Sequence, residues 1–226
     1  MSGKTIFISG TDTGIGKTIT TGLIALYFKK QGLKVITQKI VQTGCKKVSE
    51  DIIKHREIMG EDLNKFDLQG LTCPYIFKFP ASPHLAAKLE NKEINPEIIF
   101  NATKELEKHF NLILLEGVGG LQVPLNKHLT LIDYIAEKGY SLVLVTSGKL
   151  GSINHTLLSL EAIKNRNIEL KAIVFNNYFS NNEVINTDIK DFFKKYLSVN
   201  FPKTQFFEID DICKYSNDKK FLYFNI

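Results

Sequence analysis

The sequence predicts an α/β fold in which helices cover both faces of a mostly parallel β-sheet. Three observations support this fold class. Short runs of apolar and β-branched residues recur along the chain, segments with helical spacing lie between them, and a glycine-rich turn joins the first run to the first helix. Because 226 residues are enough for one sizeable core, we expect residues 1–226 to form a single domain.

The predicted strands are six short runs: TIFIS, KVITQKI, NLILLEG, SLVLVTS, KAIVFNN and TQFFEI. Most of these runs are almost continuously hydrophobic, which is typical of strands that are buried on both faces. A sheet built from such strands needs helices above and below it.

Helical patterns occupy the segments between these runs. Residues 17–30 carry apolar side chains at helical spacing and end in two lysines. Pro96 begins a second helix, because proline is favoured in the first turn. Residues 152–166 form a third helix, with Ser152 as its predicted N-cap. Since strands and helices alternate at these lengths, we expect right-handed βαβ units and a parallel sheet.

The composition, with 43% hydrophobic and 23% charged residues, is that of an ordinary globular protein. No apolar run reaches the roughly 18 to 20 residues of a membrane span, and the N-terminus lacks the apolar core of a signal peptide. The net charge of +5 is spread along the chain, so we expect neither membrane nor nucleic acid as a partner. Three scattered cysteines, Cys45, Cys73 and Cys213, fit neither a disulfide framework nor a zinc site. We therefore expect a reducing, cytoplasmic location.

Polar and glycine-rich residues follow five of the predicted strands. In a parallel sheet, ligands bind beyond the carboxyl ends of the strands, so these residues mark the predicted functional edge. They are residues 10–18, Lys39 and Thr43, residues 116–120, residues 147–152, and Asn176 with Asn177.

The first of these segments, GTDTGIGKT, predicts a phosphate-binding loop. Five residues separate Gly10 from Gly16, one more than in the common motif. Gly14 and Gly16 allow backbone N–H groups to turn toward phosphate oxygens, and the following helix adds its positive end. Lys17, expected to be an exposed loop group, reaches the outer phosphates, and the Thr18 hydroxyl is suited to magnesium. The sequence thus predicts a single P-loop NTPase-like domain.

Two acidic residues are candidates for the metal beside this loop. Glu116 ends a buried strand and precedes three glycines in four residues. A carboxylate there can hold Mg²⁺ directly or through water, and the alternative is a turn with a capping acid. Asp51 follows Ser49, which is suited to cap a helix whose first turn contains the acid. Local pattern alone favours the capping interpretation for Asp51.

Two further segments admit a structural and a functional interpretation. Lys39, at the end of the second strand, is either a solvated lysine or a cation for a substrate carboxylate or carbamate. The GKLGS turn at residues 148–152 precedes a helix whose free N–H groups either bind an anion or belong to an ordinary capped helix.

Taken together, these motifs resemble the dethiobiotin synthetases of biotin synthesis. The resemblance runs from GTDTGIGKT through QKIVQTG, SPH, LLEGVGGLQVPL and KLGSINH to VFNN, which is most of the chain. It implies a phosphate-loop homodimer that uses ATP, Mg²⁺ and CO₂ to close a ureido ring on 7,8-diaminononanoate. The carbamate formed from the substrate amine and CO₂ would be phosphorylated to a carbamic-phosphoric anhydride.

The resemblance also implies roles for particular residues. Catalytic roles fall to Lys39, Lys17 and Thr11. The magnesium ligands would be Thr18, Asp51 and Glu116. Asn176 would form a hydrogen bond with the adenine. The residues implied in ATP binding are Gly14, Ile15, Gly16, Lys17, Thr18, Ile19, Asp51, Glu116, Gly117, Val118, Gly119, Asn176 and Asn177. The residues implied in substrate binding are Thr43, Ser152, Ile153 and Asn154. The last three of these would act across the dimer interface.

This sequence departs from the family pattern in three places. Gly14 stands where many members have glutamate, and Ile40 follows the active-site lysine where proline is common. The family's last adenine-binding loop is not recognisable in FPKTQFFEIDD.

The alternative function is that of a partitioning or membrane-switch ATPase of the same fold. Those proteins carry a signature lysine in KGG-GKT. Alignment on the Gly-Lys-Thr of this loop places Asp12, which has the opposite charge, at the signature position.

Overall fold

Six strands form the central sheet of the computed structural model, which describes residues 3–179, 182–215 and Phe224. In spatial order they are β2 (Val35–Lys39), β5 (Leu112–Gly120), β1 (Lys4–Gly10), β6 (Ser141–Ser147), β7 (Leu170–Asn176) and β8 (Gln205–Ile209). Each neighbouring pair is parallel. All six predicted strands are therefore confirmed. Two strands of two residues each, β3 (Gln42–Thr43) and β4 (Ile76–Phe77), pair in a second small sheet that was not predicted.

Helices connect the strands and cover the sheet. In chain order they are α1 (Lys17–Lys30), α2 (Glu50–Met59), α3 (Lys65–Leu68), α4 (Pro83–Leu89), α5 (Pro96–Glu107), α6 (Leu131–Glu137), α7 (Ser152–Asn165) and α8 (Glu183–Asn200). Among the described residues, no helix is long and apolar enough to cross a membrane.

The core lies on both faces of the sheet, as the near-continuous hydrophobic strands predict. Successive side chains of a strand point to opposite faces. Phe7 of β1 therefore packs with the buried residues of α5, α6, α7 and α8, whereas Ile6 and Ile8 pack with those of α1 and α2. The two helical layers cover the faces of the sheet, so its strands reach the ligand-binding edge at their carboxyl ends.

Of the two predicted helix N-caps, one is confirmed and the other is wrong. The Ser49 side chain accepts a hydrogen bond from the backbone N–H of Ile52 at 3.2 Å, so this cap is confirmed. The predicted Ser152 cap is wrong: Gly151 is the cap residue, with φ 85°, and Ser152 is the first residue of α7. Glycine adopts that left-handed conformation without steric cost, so the helix begins without a side-chain cap.

The order of the strands places the phosphate loop between two neighbours. β1 lies between β5 and β6. The chain leaves β1 toward β2 on one side and later crosses from β5 to β6 on the other, so the strand order reverses at β1, which is the switch point at which such sheets bind ligands. In the register of β2 and β5, Lys39 is the direct partner of Glu116. Two residues 77 positions apart in the chain are thus brought side by side at the functional edge.

Candidate active site at the carboxyl ends of the strands

The phosphate loop between β1 and α1 is held in place by two neighbouring strands. The backbone N–H of Thr11 donates to the carbonyl oxygen of Val145 in β6 at 3.0 Å. The Asn176 side-chain amide, at the end of β7, donates to the Ile15 carbonyl oxygen at 2.9 Å. Gly16, with φ 104°, lies against this amide: an added Cβ would be 2.2 Å from Asn176 Nδ2. Only glycine fits there.

We expect Gly16→Ala to weaken nucleotide binding by more than about tenfold, because the methyl group must displace Asn176 and distort the loop. Gly14→Ala is the matched control. Gly14 also has a positive φ of 67°, but an added Cβ meets nothing within 4 Å. Calorimetric titration with a non-hydrolysable ATP analogue checks this. Equal losses in the two variants would contradict the role assigned to Asn176.

Lys17 is buried, which corrects the expectation of an exposed loop group. Its side chain is 7% exposed and folds back under the loop, where Nζ donates to the carbonyl oxygen of Asp12 at 2.7 Å. Burial, together with the charge of Lys39, lowers the pKa of Lys17 to about 8, although the nearby carboxylates oppose this shift. The ammonium group is therefore available below the loop as a mostly protonated cation at neutral pH.

Lys39 is also buried, at 4% exposure, so the solvated alternative for this residue is wrong. Its Nζ lies 2.7 Å from Glu116 Oε1 and 2.6 Å from Asp51 Oδ2, and it donates to the carbonyl oxygen of Gly117 at 2.9 Å. Burial by itself lowers the pKa of Lys39, but the charges and hydrogen bonds of the two carboxylates hold it above its ordinary value. Lys39 is consequently a fixed positive charge at the centre of the site.

Glu116 lies inside β5, which continues to Gly120, so the alternative of an acid capping a turn is wrong. The carboxylate is completely buried. Burial raises the pKa of Glu116, but Lys39 and a hydrogen bond from His55 hold it well below its usual range. Glu116 is therefore ionised and accepts hydrogen bonds only.

Three oxygen atoms from different elements converge beside the phosphate loop. Thr18 Oγ1 donates to Asp51 Oδ1 at 2.8 Å and to Glu116 Oε1 at 3.2 Å. Adjacent ligands of an octahedral Mg²⁺ are about 3 Å apart, so this spacing fits that ion. The described residues contain no metal-binding group of three or more His, Cys, Asp or Glu side chains. Magnesium sites of NTPases use few carboxylates and complete the shell with phosphate and water, which agrees with this hydroxyl and two carboxylates.

Asp51 combines the two interpretations that the sequence left open. It lies in the first turn of α2, directly after the Ser49 cap, and its carboxylate also contacts Thr18 and Lys39. The capped helix start thus places this carboxylate beside Thr18 and Lys39.

His55 is a buried site residue that the sequence analysis missed. Its Nε2 atom lies 2.7 Å from Glu116 Oε2, and the ring is fully buried. The available signal was its position four residues after Asp51, which places both side chains on one face of α2.

The two asparagines after β7 have different partners. Asn176, besides contacting Ile15, accepts the backbone N–H of Tyr178 at 3.1 Å. Asn177 Nδ2 donates to Glu208 Oε2 at 3.3 Å and to Asp210 Oδ1 at 3.2 Å. The FPKTQFFEIDD segment, in which the family's last adenine-binding loop is not recognisable, therefore contains the predicted strand β8 and brings its acids to the same edge as the phosphate loop.

The residues implied in substrate binding lie around this centre rather than within it. Thr43 is half-buried in the short strand β3. Ser152, Ile153 and Asn154 form the first turn of α7. The Ser152 hydroxyl is buried without a hydrogen-bond partner among the described residues. A groove of about 710 Å³, lined by Thr11 and Asp12 on one side and by α7 on the other, connects the loop with this helix.

The sequence of residues 4–217 matches the protein family described as an AAA domain. The ATP-dependent dethiobiotin synthetase of Chlorobaculum tepidum is 56% identical over 191 residues, which is 84% of this chain and 80% of the relative. A second relative with that name, from Haemophilus ducreyi, is 50% identical over 92% of this chain and 99% of its own length. The chain belongs to the dethiobiotin synthetase family. The resemblance found in the sequence motifs is thereby confirmed.

Solved structures that resemble this dethiobiotin synthetase family member share its fold but little of its sequence. A plasmid partition protein from Borrelia burgdorferi superposes with a TM-score of 0.56 at 11% identity, covering 96% of this chain and 93% of that one. A ParA family ATPase from Chlorobium tepidum TLS gives 0.53 at 15% identity, covering 92% and 86%. The P-loop NTPase-like fold is therefore confirmed. At such low identity these structures do not favour the partitioning function, and Asp12 occupies the signature position.

Proposed function

We propose that this chain is a dethiobiotin synthetase that uses ATP, Mg²⁺ and CO₂ to close a ureido ring on 7,8-diaminononanoate. The observation that carries the proposal is the buried Lys39, held between Glu116 and Asp51 beside the phosphate loop. A switch ATPase needs carboxylates for its metal but has no use for a buried cation at this point. A synthetase that phosphorylates a carbamate needs a cation there, because the phosphoryl acceptor is an anion.

Thr18, Asp51 and Glu116 would hold Mg²⁺ in this enzyme, since Thr18 Oγ1 lies 2.8 and 3.2 Å from oxygens of the two carboxylates. When bound, the ion neutralises charge on the phosphates of ATP. With the ion held there, the Lys39 ammonium group, which contacts the two carboxylates in this structure, would be able to face the substrate carbamate.

The first chemical steps follow from these charges. A substrate amine adds to CO₂, loses a proton and becomes a carbamate, which Lys39 stabilises as an anion. A carbamate oxygen attacks the γ-phosphorus in line. The new O–P bond forms as the bond to ADP breaks, giving a carbamic-phosphoric anhydride. Lys17 stabilises the charge that develops on the transferred group. Thr11, whose backbone is fixed to β6, lines the groove next to the phosphate loop.

Ring closure requires no protein nucleophile. The second amine attacks the carbonyl carbon of the anhydride, a C–N bond forms, and phosphate leaves with the electron pair of the broken C–O bond. Holding the two ends of the diamine in place supplies much of the rate. This requirement explains why the site consists of charges and hydrogen-bond donors.

The nucleotide would lie along the edge formed by β1, β5 and β7. Its phosphates would contact the loop and the start of α1 at Gly14, Ile15, Gly16 and Ile19. The end of β5 would lie beside the phosphates at Gly117, Val118 and Gly119. Asn176 and Asn177 would face the adenine from the end of β7. The contacts of Asn177 with Glu208 in β8 and with Asp210 directly after it support this placement.

The substrate carboxylate would bind at the first turn of α7, with Thr43 contacting another part of the diamine. The unpartnered Ser152 hydroxyl and the backbone N–H groups of Ile153 and Asn154 at the start of the helix support this assignment. Leu150, directly before this turn, is fully exposed, and Leu158 of α7, which lines the groove, is also exposed. We expect a second copy of the chain to cover both side chains. Sedimentation should find a dimer in the active enzyme, and a fully active monomer would contradict the shared site.

The proposal also includes the extent of the domain and the location of the enzyme in the cell. One domain, residues 1–226, would carry the whole reaction. The enzyme would work in the cytoplasm, in agreement with the free thiols of Cys45 and Cys73.

Incorporation of labelled bicarbonate tests the proposed function. Purified protein given ATP, Mg²⁺, the diamine and labelled bicarbonate should form acid-stable product with the mass of dethiobiotin. Omission of ATP or Mg²⁺ should abolish the label. ATP hydrolysis without labelled product would instead favour the switch ATPase.

A further inference from the structure

The side chain of His55 has a hydrogen-bonding arrangement that the reaction described above does not use. Its Nε2 atom lies 2.7 Å from Glu116 Oε2, and both side chains are fully buried. Because an ionised carboxylate only accepts hydrogen bonds, the proton between them belongs to Nε2. The other ring nitrogen, Nδ1, has no hydrogen-bond partner within the part of the chain that the structure describes.

The two oxygens of Glu116 therefore face different partners. Oε1 is directed at Thr18 and Lys39, at 3.2 and 2.7 Å, whereas Oε2 contacts His55. A carboxylate that is anchored through one oxygen presents the other in a fixed direction. Without the anchor, Oε2 would be a buried acceptor with no donor, and rotation of the carboxylate would turn Oε1 away from Thr18.

We propose that His55 is a positioning residue that orients Glu116 for the metal ion. The proposal rests on the proposed function, in which Glu116 holds Mg²⁺. Helix α2 would then supply both a metal ligand, Asp51, and the group that aims the second acidic ligand, one turn later on the same face. Binding of the metal would depend on how α2 packs against the sheet.

A core histidine with a purely structural role is the alternative, and a matched pair of variants separates the two. His55→Gln keeps an N–H donor near the position of Nε2. His55→Asn has the same amide on a side chain one methylene shorter, so it does not reach Glu116. His55→Leu removes the donor and keeps the volume. Glu116→Gln serves as the control that removes the metal ligand itself.

Binding of Mn²⁺ is measured by the electron paramagnetic resonance signal of the free ion, in the presence of β,γ-methylene ATP. We expect His55→Asn and His55→Leu to bind Mn²⁺ about 10- to 100-fold more weakly than the wild type. His55→Gln should remain within about threefold of the wild type. The affinity for the nucleotide without metal should be the same in all three variants. A structural role would instead change thermal stability while leaving the affinity of the folded protein for Mn²⁺ intact.

Equal Mn²⁺ affinity in His55→Gln and His55→Asn, within about twofold, would overturn the proposal. If His55→Leu fails to fold, the Gln–Asn pair still decides, because the two variants differ only in reach. The same measurements distinguish a failure of the proposed function from a failure of the role assigned to His55. A wild type that forms no labelled dethiobiotin, or binds no Mn²⁺ with the nucleotide, removes both inferences. A wild type that does both, with His55→Asn unchanged from it, removes only the role of His55.

Discussion

Replacement of Lys17 by alanine is expected to lower turnover by about 10² to 10³, equivalent to a loss of about 3 to 4 kcal/mol of transition-state stabilisation. The physical reason is the position of the Lys17 ammonium group. Lys17 Nζ is held below the phosphate loop by the carbonyl oxygen of Asp12, close to the phosphates that the loop would bind. Its charge is most valuable when negative charge moves onto the transferred phosphoryl group.

Steady-state kinetics at saturating ATP and diamine measure this loss. Because Lys17 is buried, the unfolding curve of the variant must be recorded as well, so that only folded enzyme is counted. Lys30→Ala, at the far end of the same helix, is the control and should keep turnover within about twofold. A Lys17→Ala enzyme with more than about a third of wild-type turnover would remove Lys17 from the reaction.

Lys39→Gln is expected to lower turnover by about 10² or more and to raise the CO₂ concentration needed for half-maximal rate. Glutamine keeps most of the stem but not the charge, so the carbamate is less stabilised and is populated only at higher CO₂. Turnover measured over a range of bicarbonate concentrations gives both quantities. Lys34→Gln, exposed just before β2, is the control.

The same substitution should also affect stability, because Lys39 is buried between two carboxylates. Removing one partner of a buried ion pair costs about 3 to 5 kcal/mol. Urea unfolding without Mg²⁺ should show most of this loss, and addition of Mg²⁺ with nucleotide should recover part of it. Unchanged turnover and CO₂ dependence in Lys39→Gln would contradict the carbamate role.

Local patterns in the sequence were sufficient for the main strands and for the phosphate loop. Six apolar runs were found where β1, β2, β5, β6, β7 and β8 lie, because strands buried on both faces are conspicuous. The two strands of the small sheet are two residues long, too short for any periodicity. The Ser152 cap was wrong because a left-handed glycine before it begins the helix instead.

The contacts within the site required the tertiary structure. Strand ends indicated that Lys39 and Glu116 share an edge, but only the register of β2 against β5 makes them direct neighbours. The burial of Lys17 depends on its side chain turning back under the loop. His55 reaches Glu116 only because α2 packs with that face toward the sheet. Roles for Asp51 and Asn176 came from the family resemblance and remain predictions.

The central claim is that the phosphoryl acceptor is a carbamate, and phosphate release from ATP tests it most directly. Purified enzyme with ATP and Mg²⁺ is assayed in degassed buffer, with bicarbonate alone, with diamine alone, and with both. Without the diamine or CO₂ there is no carbamate, so we expect release only when both are present. Equal release in all four conditions would mean that water is the acceptor and that the synthetase mechanism is wrong.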